Sequence, residues 1–183
     1  MGKPPAIVVV GPTCSGKSEA GRMIQSLGFE WIEPGLVKEY VPLEVPLLER
    51  LQRIDQFFEE HGDDAVAREI LSRIESRDSR GTPIVVTGCR KPVERDVLRQ
   101  AFRPRVLALH CSDRTRFARS QARVRADSPS DYETFLRASA WEYAIGLGRL
   151  VLEADALVAN DQSLSHLRSS LERIVRQMDG QPE

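Results

Sequence analysis

Apolar residues along this chain follow two alternating spacings. Short contiguous runs stand at 6–10, 29–32, 83–87, 106–109 and 156–159, each bounded by glycine, proline or polar residues. Runs of this length and setting predict strands buried on both faces of a parallel sheet. Between them the apolar positions recur every three or four residues, as on one face of a helix. Leu47, Leu51, Ile54, Phe57 and Phe58 make one such stripe, and Val66, Ile70 and Ile74 another. Val93, Val97 and Phe102 follow, then Tyr132, Phe135 and Leu136. A final stripe of Leu164, Leu167, Leu171, Ile174, Val175 and Met178 predicts an amphipathic helix covering the sheet.

The punctuation agrees with this alternation. Gly28 ends a helix expected over 19–27, and Pro34-Gly35 closes the second strand. Pro42 and Pro46 make an irregular approach to the third helical segment, and His61-Gly62-Asp63 separates it from the next. Pro92 suits a first helical turn, and Ser112 a cap for a helix over 113–124. Residues 126–130 form a polar break, there are no repeats, and only 180–183 reads as a loose tail. Strand and helix in alternation predict one α/β domain over 1–183, a five-stranded parallel sheet with helices on both faces. Ligands of such sheets bind at the strand C-termini.

Composition narrows the class. A chain of 183 residues can bury a sizeable core but leaves little room for a second domain. No apolar run approaches the roughly 20 residues of a membrane span, and no charged-then-apolar leader precedes the first strand, so a cytoplasmic protein without a membrane partner is expected. Cys14, Cys89 and Cys111 lack the pairing and spacing of a disulfide framework or zinc site. Cys14 reads as a small loop-filling side chain, with redox control as the alternative. The net charge is −1, yet residues 90–125 hold eleven Lys and Arg against three Asp and Glu. With an acidic remainder, that zone suits a polyphosphate better than a nucleic acid.

The chemistry is concentrated at residues 11–18, Gly-Pro-Thr-Cys-Ser-Gly-Lys-Ser, a complete G-x-x-x-x-G-K-[ST] loop between a strand and a helix. Gly11 lets the chain turn off the strand, and Gly16 lets the backbone N–H groups of Thr13, Cys14, Ser15, Gly16, Lys17 and Ser18 face inward. Those amides and the helix N-terminus are expected to hold the phosphates of ATP. The Lys17 ammonium bridges the outer phosphates and the Ser18 hydroxyl ligates Mg²⁺ in such loops.

The strand ends add Thr87-Gly88-Cys89-Arg90-Lys91-Pro92 after the third strand, and Arg114, Arg116, Arg119 and Arg123 on the helix after the fourth. With the loop, with "GDDAVAREI" from 62, "VVTGCRKPVE" from 85, "DRTRFAR" from 113 and "EADALVANDQSL" from 153, nearly the whole chain resembles the nucleoside monophosphate kinase group of P-loop proteins. It looks closest to a largely archaeal branch labelled adenylate-kinase-like or dephospho-coenzyme A kinase. The resemblance implies a three-layer P-loop NTPase fold with an acceptor-binding helical region at 34–80 and a small helical lid at 114–147. It implies that Arg90 grips the acceptor phosphate, and that Arg116 flanks the donor's adenine and phosphates. Arg123 and Arg125 would close on the transferring group, while Arg68 is a further acceptor-side candidate.

Two departures stand out. Thr87 occupies the place of a usual aspartate that orients Mg²⁺ through water. The loop after the second strand gives Glu33-Pro34-Gly35-Leu36-Val37-Lys38 where relatives place Asp and Arg. Glu33 reads equally as a general base, a substitute metal anchor or a solvent-facing glutamate, and Lys38 stands in for the missing arginine. Three functions stay open. The first is transfer of the γ-phosphoryl group of Mg-ATP to a nucleoside monophosphate or nucleotide-like acceptor, by a monomer or homodimer. The second is a hydroxyl kinase such as one for dephospho-coenzyme A. The third is a nucleotide-binding regulatory protein with weak or no transferase activity.

Overall fold

A computed structural model of the protein describes residues 3–41, 45–76, 81–123 and 128–179. Five strands pair in parallel: β1 (Pro5–Val10), β2 (Glu30–Ile32), β3 (Ile84–Thr87), β4 (Arg103–His110) and β5 (Ala156–Ala159). Their order across the sheet is β2-β3-β1-β4-β5. Because β1 lies at the centre, the loop that follows it opens at the point where successive strands turn to opposite sides, the usual crevice of such sheets. The fold is the three-layer α/β arrangement expected from the alternating pattern.

Alternate residues of the central strands feed two cores. Ala6, Val8, Val10, Ile84 and Val86 pack with α3 (Leu47–His61), α4 (Ala65–Ser76), and the short helices α2 (Leu36–Tyr40) and α8 (Gly148–Leu152). Ile7, Val9, Val85, Leu107 and Leu109 pack on the other face against α1 (Lys17–Gln25) and α9 (Leu164–Asp179). Both faces are thus covered, which the apolar runs without alternation require. Three further helices complete the fold: α5 (Pro92–Leu98), α6 (Asp113–Ala122) and α7 (Tyr132–Glu142). Among the described residues no helix is long and apolar enough to cross a membrane.

Some details differ from the sequence expectation. The helix after the loop starts near Lys17 as expected but ends at Gln25, β4 begins three residues earlier than its apolar run, α6 stops at Ala122, and α2 and α8 were not foreseen. The early start of β4 comes from backbone pairing of Pro5 with Arg103 and of Ile7 with Arg105, which side-chain pattern does not report.

Candidate active site

The loop leaving β1 is shaped by backbone conformations that few side chains allow. Gly16 has φ 100°, and a Cβ there would fall 2.3 Å from Asn160 Nδ2. Asn160 in turn donates to the Ser15 carbonyl at 2.8 Å, locking the end of β5 onto the loop. Cys14 adopts φ 65°, left-handed backbone that costs a non-glycine residue of order 1 kcal/mol or more. Such alternation turns successive amides inward as an anion nest. The Lys17 ammonium lies across this loop, donating to the carbonyls of Gly11 at 2.7 Å and Pro12 at 2.9 Å. Burial pulls its pKa down to about 8, against the opposing attraction of the Glu142 carboxylate.

Two arginines of α6 brace the loop from outside. Arg116 is 1% exposed and donates to the Thr13 carbonyl at 3.1 Å, to Asp113 at 2.6 Å and to Ser139 at 3.0 Å. Its guanidinium also stands 4.8 Å from the centre of the Phe135 ring. Arg119 reaches the carbonyls of Asn160 at 2.9 Å and Cys14 at 3.5 Å. In this state Arg116 meets the loop through a carbonyl from a buried position, so it acts on loop shape. Arg123 caps α6 and is exposed at the rim of a cleft. Arg125 lies outside the described residues.

Two clefts meet at Arg50 and Arg90. The first is bounded by Lys17, Ser18, Glu33, Thr87 and both arginines. The second runs between α3 and α7 past Thr13, Leu51, Ile54, Arg123, Trp141 and Glu142. Arg90 is aimed by its own loop. Its backbone N–H and that of Lys91 donate to Glu94 Oε2 at 2.6 and 2.7 Å, and its guanidinium donates to the Gly88 carbonyl at 3.2 Å. Glu94 is fully buried, and burial raises its pKa to about 7 in spite of those two bonds. Arg68 turns away from both clefts, pairing with Asp64 and the His61 carbonyl (2.5 Å). Lys38 is in α2, and its side chain lies outside the described residues.

The metal-side oxygens are few. Ser18 Oγ is 3.5 Å from Glu33 Oε1, and both residues line the first cleft. Among the described residues no group of three His, Cys, Asp or Glu could hold a metal by itself. This donor set fits Mg²⁺, which takes one or two protein oxygens and completes its shell with waters and phosphate oxygens. Arg50 and Glu142 were not anticipated from sequence. Arg50 reads as one polar position of an amphipathic helix, and Glu142 meets Thr13 across 129 residues.

Comparison with known proteins agrees with this fold. The AAA domain family matches residues 7–135. A UPF0200 protein of Hyperthermus butylicus is 31% identical, covering 96% of this chain and 95% of its own. Among solved structures, shikimate kinase from Acinetobacter baumannii, in complex with shikimate, has a TM-score of 0.61 at 17% identity over 97% of this chain and 96% of that one. A gluconokinase from Sinorhizobium meliloti has a TM-score of 0.57 at 21% identity over the full length of both. At such identities the likeness establishes the fold, a P-loop kinase-like one.

Proposed function

We propose, from the premise that this chain belongs to the AAA domain family and to the UPF0200 proteins, that it is an ATP-dependent phosphotransferase of the nucleoside monophosphate kinase kind. It transfers the terminal phosphoryl group of Mg-ATP to a nucleoside monophosphate or another nucleotide-like small molecule. One observation carries this reading. Lys17 and Ser18 share a single cleft with Arg50, Arg90 and Glu33, so phosphate-binding donors and two guanidiniums face one space.

The roles follow from the chemistry of the side chains. Arg90 and Arg50 offer planar, multidentate donors to an acceptor phosphate. Leu51, Ile54 and Trp141 give the adjoining cleft apolar walls suited to the planar body of a base. The loop amides of residues 13–18 and Lys17 hold and neutralise the donor phosphates. Arg123 and Arg125, in a lid over 114–147, close over them and exclude water. Ser18 and Glu33 would hold Mg²⁺, which when bound draws charge from the phosphoryl oxygens. Residues 34–80 form the acceptor side of a single-domain, cytoplasmic enzyme.

A second reading rests on Glu33. A carboxylate 3.5 Å from Ser18 Oγ can take the proton of an acceptor hydroxyl, as a kinase for dephospho-coenzyme A or a sugar acid needs. The shikimate kinase and gluconokinase likeness keeps this reading in play. The test is ATP consumption with Mg²⁺ across ribo- and deoxyribonucleoside monophosphates, dephospho-coenzyme A and small hydroxy acids. A preferred monophosphate, lost with Arg90→Ala and only mildly weakened with Glu33→Gln, is expected. Turnover of hydroxyl acceptors alone, lost with Glu33→Gln, would favour the second reading.

A further inference from the structure

One buried carboxylate bonds directly to the phosphate-binding loop. Glu142 ends α7 and is 6% exposed. Its Oε2 accepts the Thr13 backbone N–H at 2.7 Å, and its Oε1 accepts the Thr13 hydroxyl at 2.6 Å. Thr13 belongs to the phosphate-binding loop, whose inward donors are built to receive an anion. Here a protein carboxylate has taken two of them.

The position of Glu142 is set by backbone, not by a loose side chain. Directly after it the chain makes a kinked turn, Tyr143–Leu147, that separates α7 from α8. Within that turn Gly146 has φ 135°, and a Cβ there would lie 3.0 Å from the Arg90 carbonyl and 3.1 Å from Pro92 Cδ. The segment carrying Glu142 to the loop is therefore seated on the backbone beside Arg90. On its far side, Thr13 is held by Arg116 through its carbonyl.

We propose that Glu142 is a specificity-determining residue of the donor site: its carboxylate occupies the Thr13 donors that the terminal phosphate of a triphosphate would take, so ATP must displace it and ADP need not. The inference rests on the loop being the nucleotide site. The Lys17 ammonium lies on the carbonyls of Gly11 and Pro12, next to Thr13, and this lysine meets the outer phosphates in such loops. Thr13 accordingly borders the terminal phosphate, while the start of α1 takes the inner ones. Two anions cannot share one N–H and one O–H in a buried site, where like charges repel strongly. Displacing Glu142 therefore lowers ATP affinity relative to ADP.

The test is equilibrium titration of the full chain with ATP and with ADP, for wild type, Glu142→Gln and Glu142→Ala. The glutamine keeps a group for each Thr13 donor or acceptor and removes the charge, so it decides the matter if the alanine variant fails to fold. Glu142→Gln is expected to bind ATP at least tenfold tighter while ADP affinity changes less than twofold. ATP and ADP bound by every protein with an unchanged ratio, or ATP alone weakened, would overturn this inference and leave the nucleotide site standing. ATP binding gained only in the variants supports it. No nucleotide bound by any of the three proteins at millimolar concentration would overturn both readings.

Discussion

The indole of Trp31 in β2 donates to the hydroxyl of Thr87 at the end of β3, Nε1 to Oγ1 at 3.1 Å. An indole N–H can only donate, so Thr87 accepts there and its own proton is free to turn toward the cleft. Thr87 is thus fixed by a residue of the adjoining strand. Thr87→Val leaves a partly buried indole N–H without its acceptor, and a loss of about 1–3 kcal/mol in urea unfolding is expected. Thr87→Asp keeps an acceptor for Trp31 and adds a charge, so it should retain activity with steeper Mg²⁺ dependence. Loss of all activity in Thr87→Asp would count against this arrangement.

Lys17 carries opposite consequences for function and stability. Removing its ammonium with Lys17→Met should lower phosphoryl transfer by about 10²-fold or more. Its folded pKa, about 8, lies below the ordinary 10.5, so between those values the unfolded chain binds more protons. Stability of the nucleotide-free protein should rise with pH across that window, and Lys17→Met should flatten the rise. Denaturant midpoints from pH 7 to 10 measure this directly.

Glu94 acts in the other direction. Its folded pKa, about 7, lies above the ordinary 4.5, so between those values the folded protein binds more protons. The contribution of Glu94 to stability is present in full below about pH 4.5 and declines as pH rises toward 7. Glu94→Gln retains an acceptor for the N–H groups of Arg90 and Lys91 and cannot ionise. Its denaturant midpoints should lack that decline. A wild-type slope preserved in the variant would assign the titration to another group.

Arg90 is held by its loop with its side chain at the junction of the two clefts. Arg90→Ala should raise the acceptor KM by at least tenfold, with ATP affinity changed less than threefold. Initial-rate kinetics with each substrate varied in turn separate the two. Equal loss for both substrates would place Arg90 on the donor side.

Much of this architecture was legible in the chain, for reasons that differ by element. Buried strands at the centre of a parallel sheet need contiguous apolar residues, so 6–10 and 83–87 announced themselves. The phosphate loop was legible because its glycines and lysine are required by position. The short helix α2 was not, since the six residues between Pro34-Gly35 and Pro42 carry no periodic stripe. The lid expectation ran to 147, but neither the kink at Gly146 nor the helix over 148–152 was foreseen, because Gly146 and Gly148 dilute any helical pattern. Arginine spacing on α6 located Arg116 and Arg119 but could not say that they would reach the loop carbonyls of Thr13 and Cys14. Glu142 was invisible in sequence, since its meaning comes entirely from a contact with a residue in the opposite part of the chain.

The most direct measurement follows the terminal phosphoryl group itself. Wild type and Lys17→Met would each be given ATP labelled at the γ-phosphate, Mg²⁺ and the panel of acceptors, with labelled products identified by mass. Label on one class of nucleotide-like acceptor is expected with wild type, and at least about 10²-fold less with Lys17→Met. Label released only as inorganic phosphate, or retained in ATP with every acceptor, would contradict the proposed transfer.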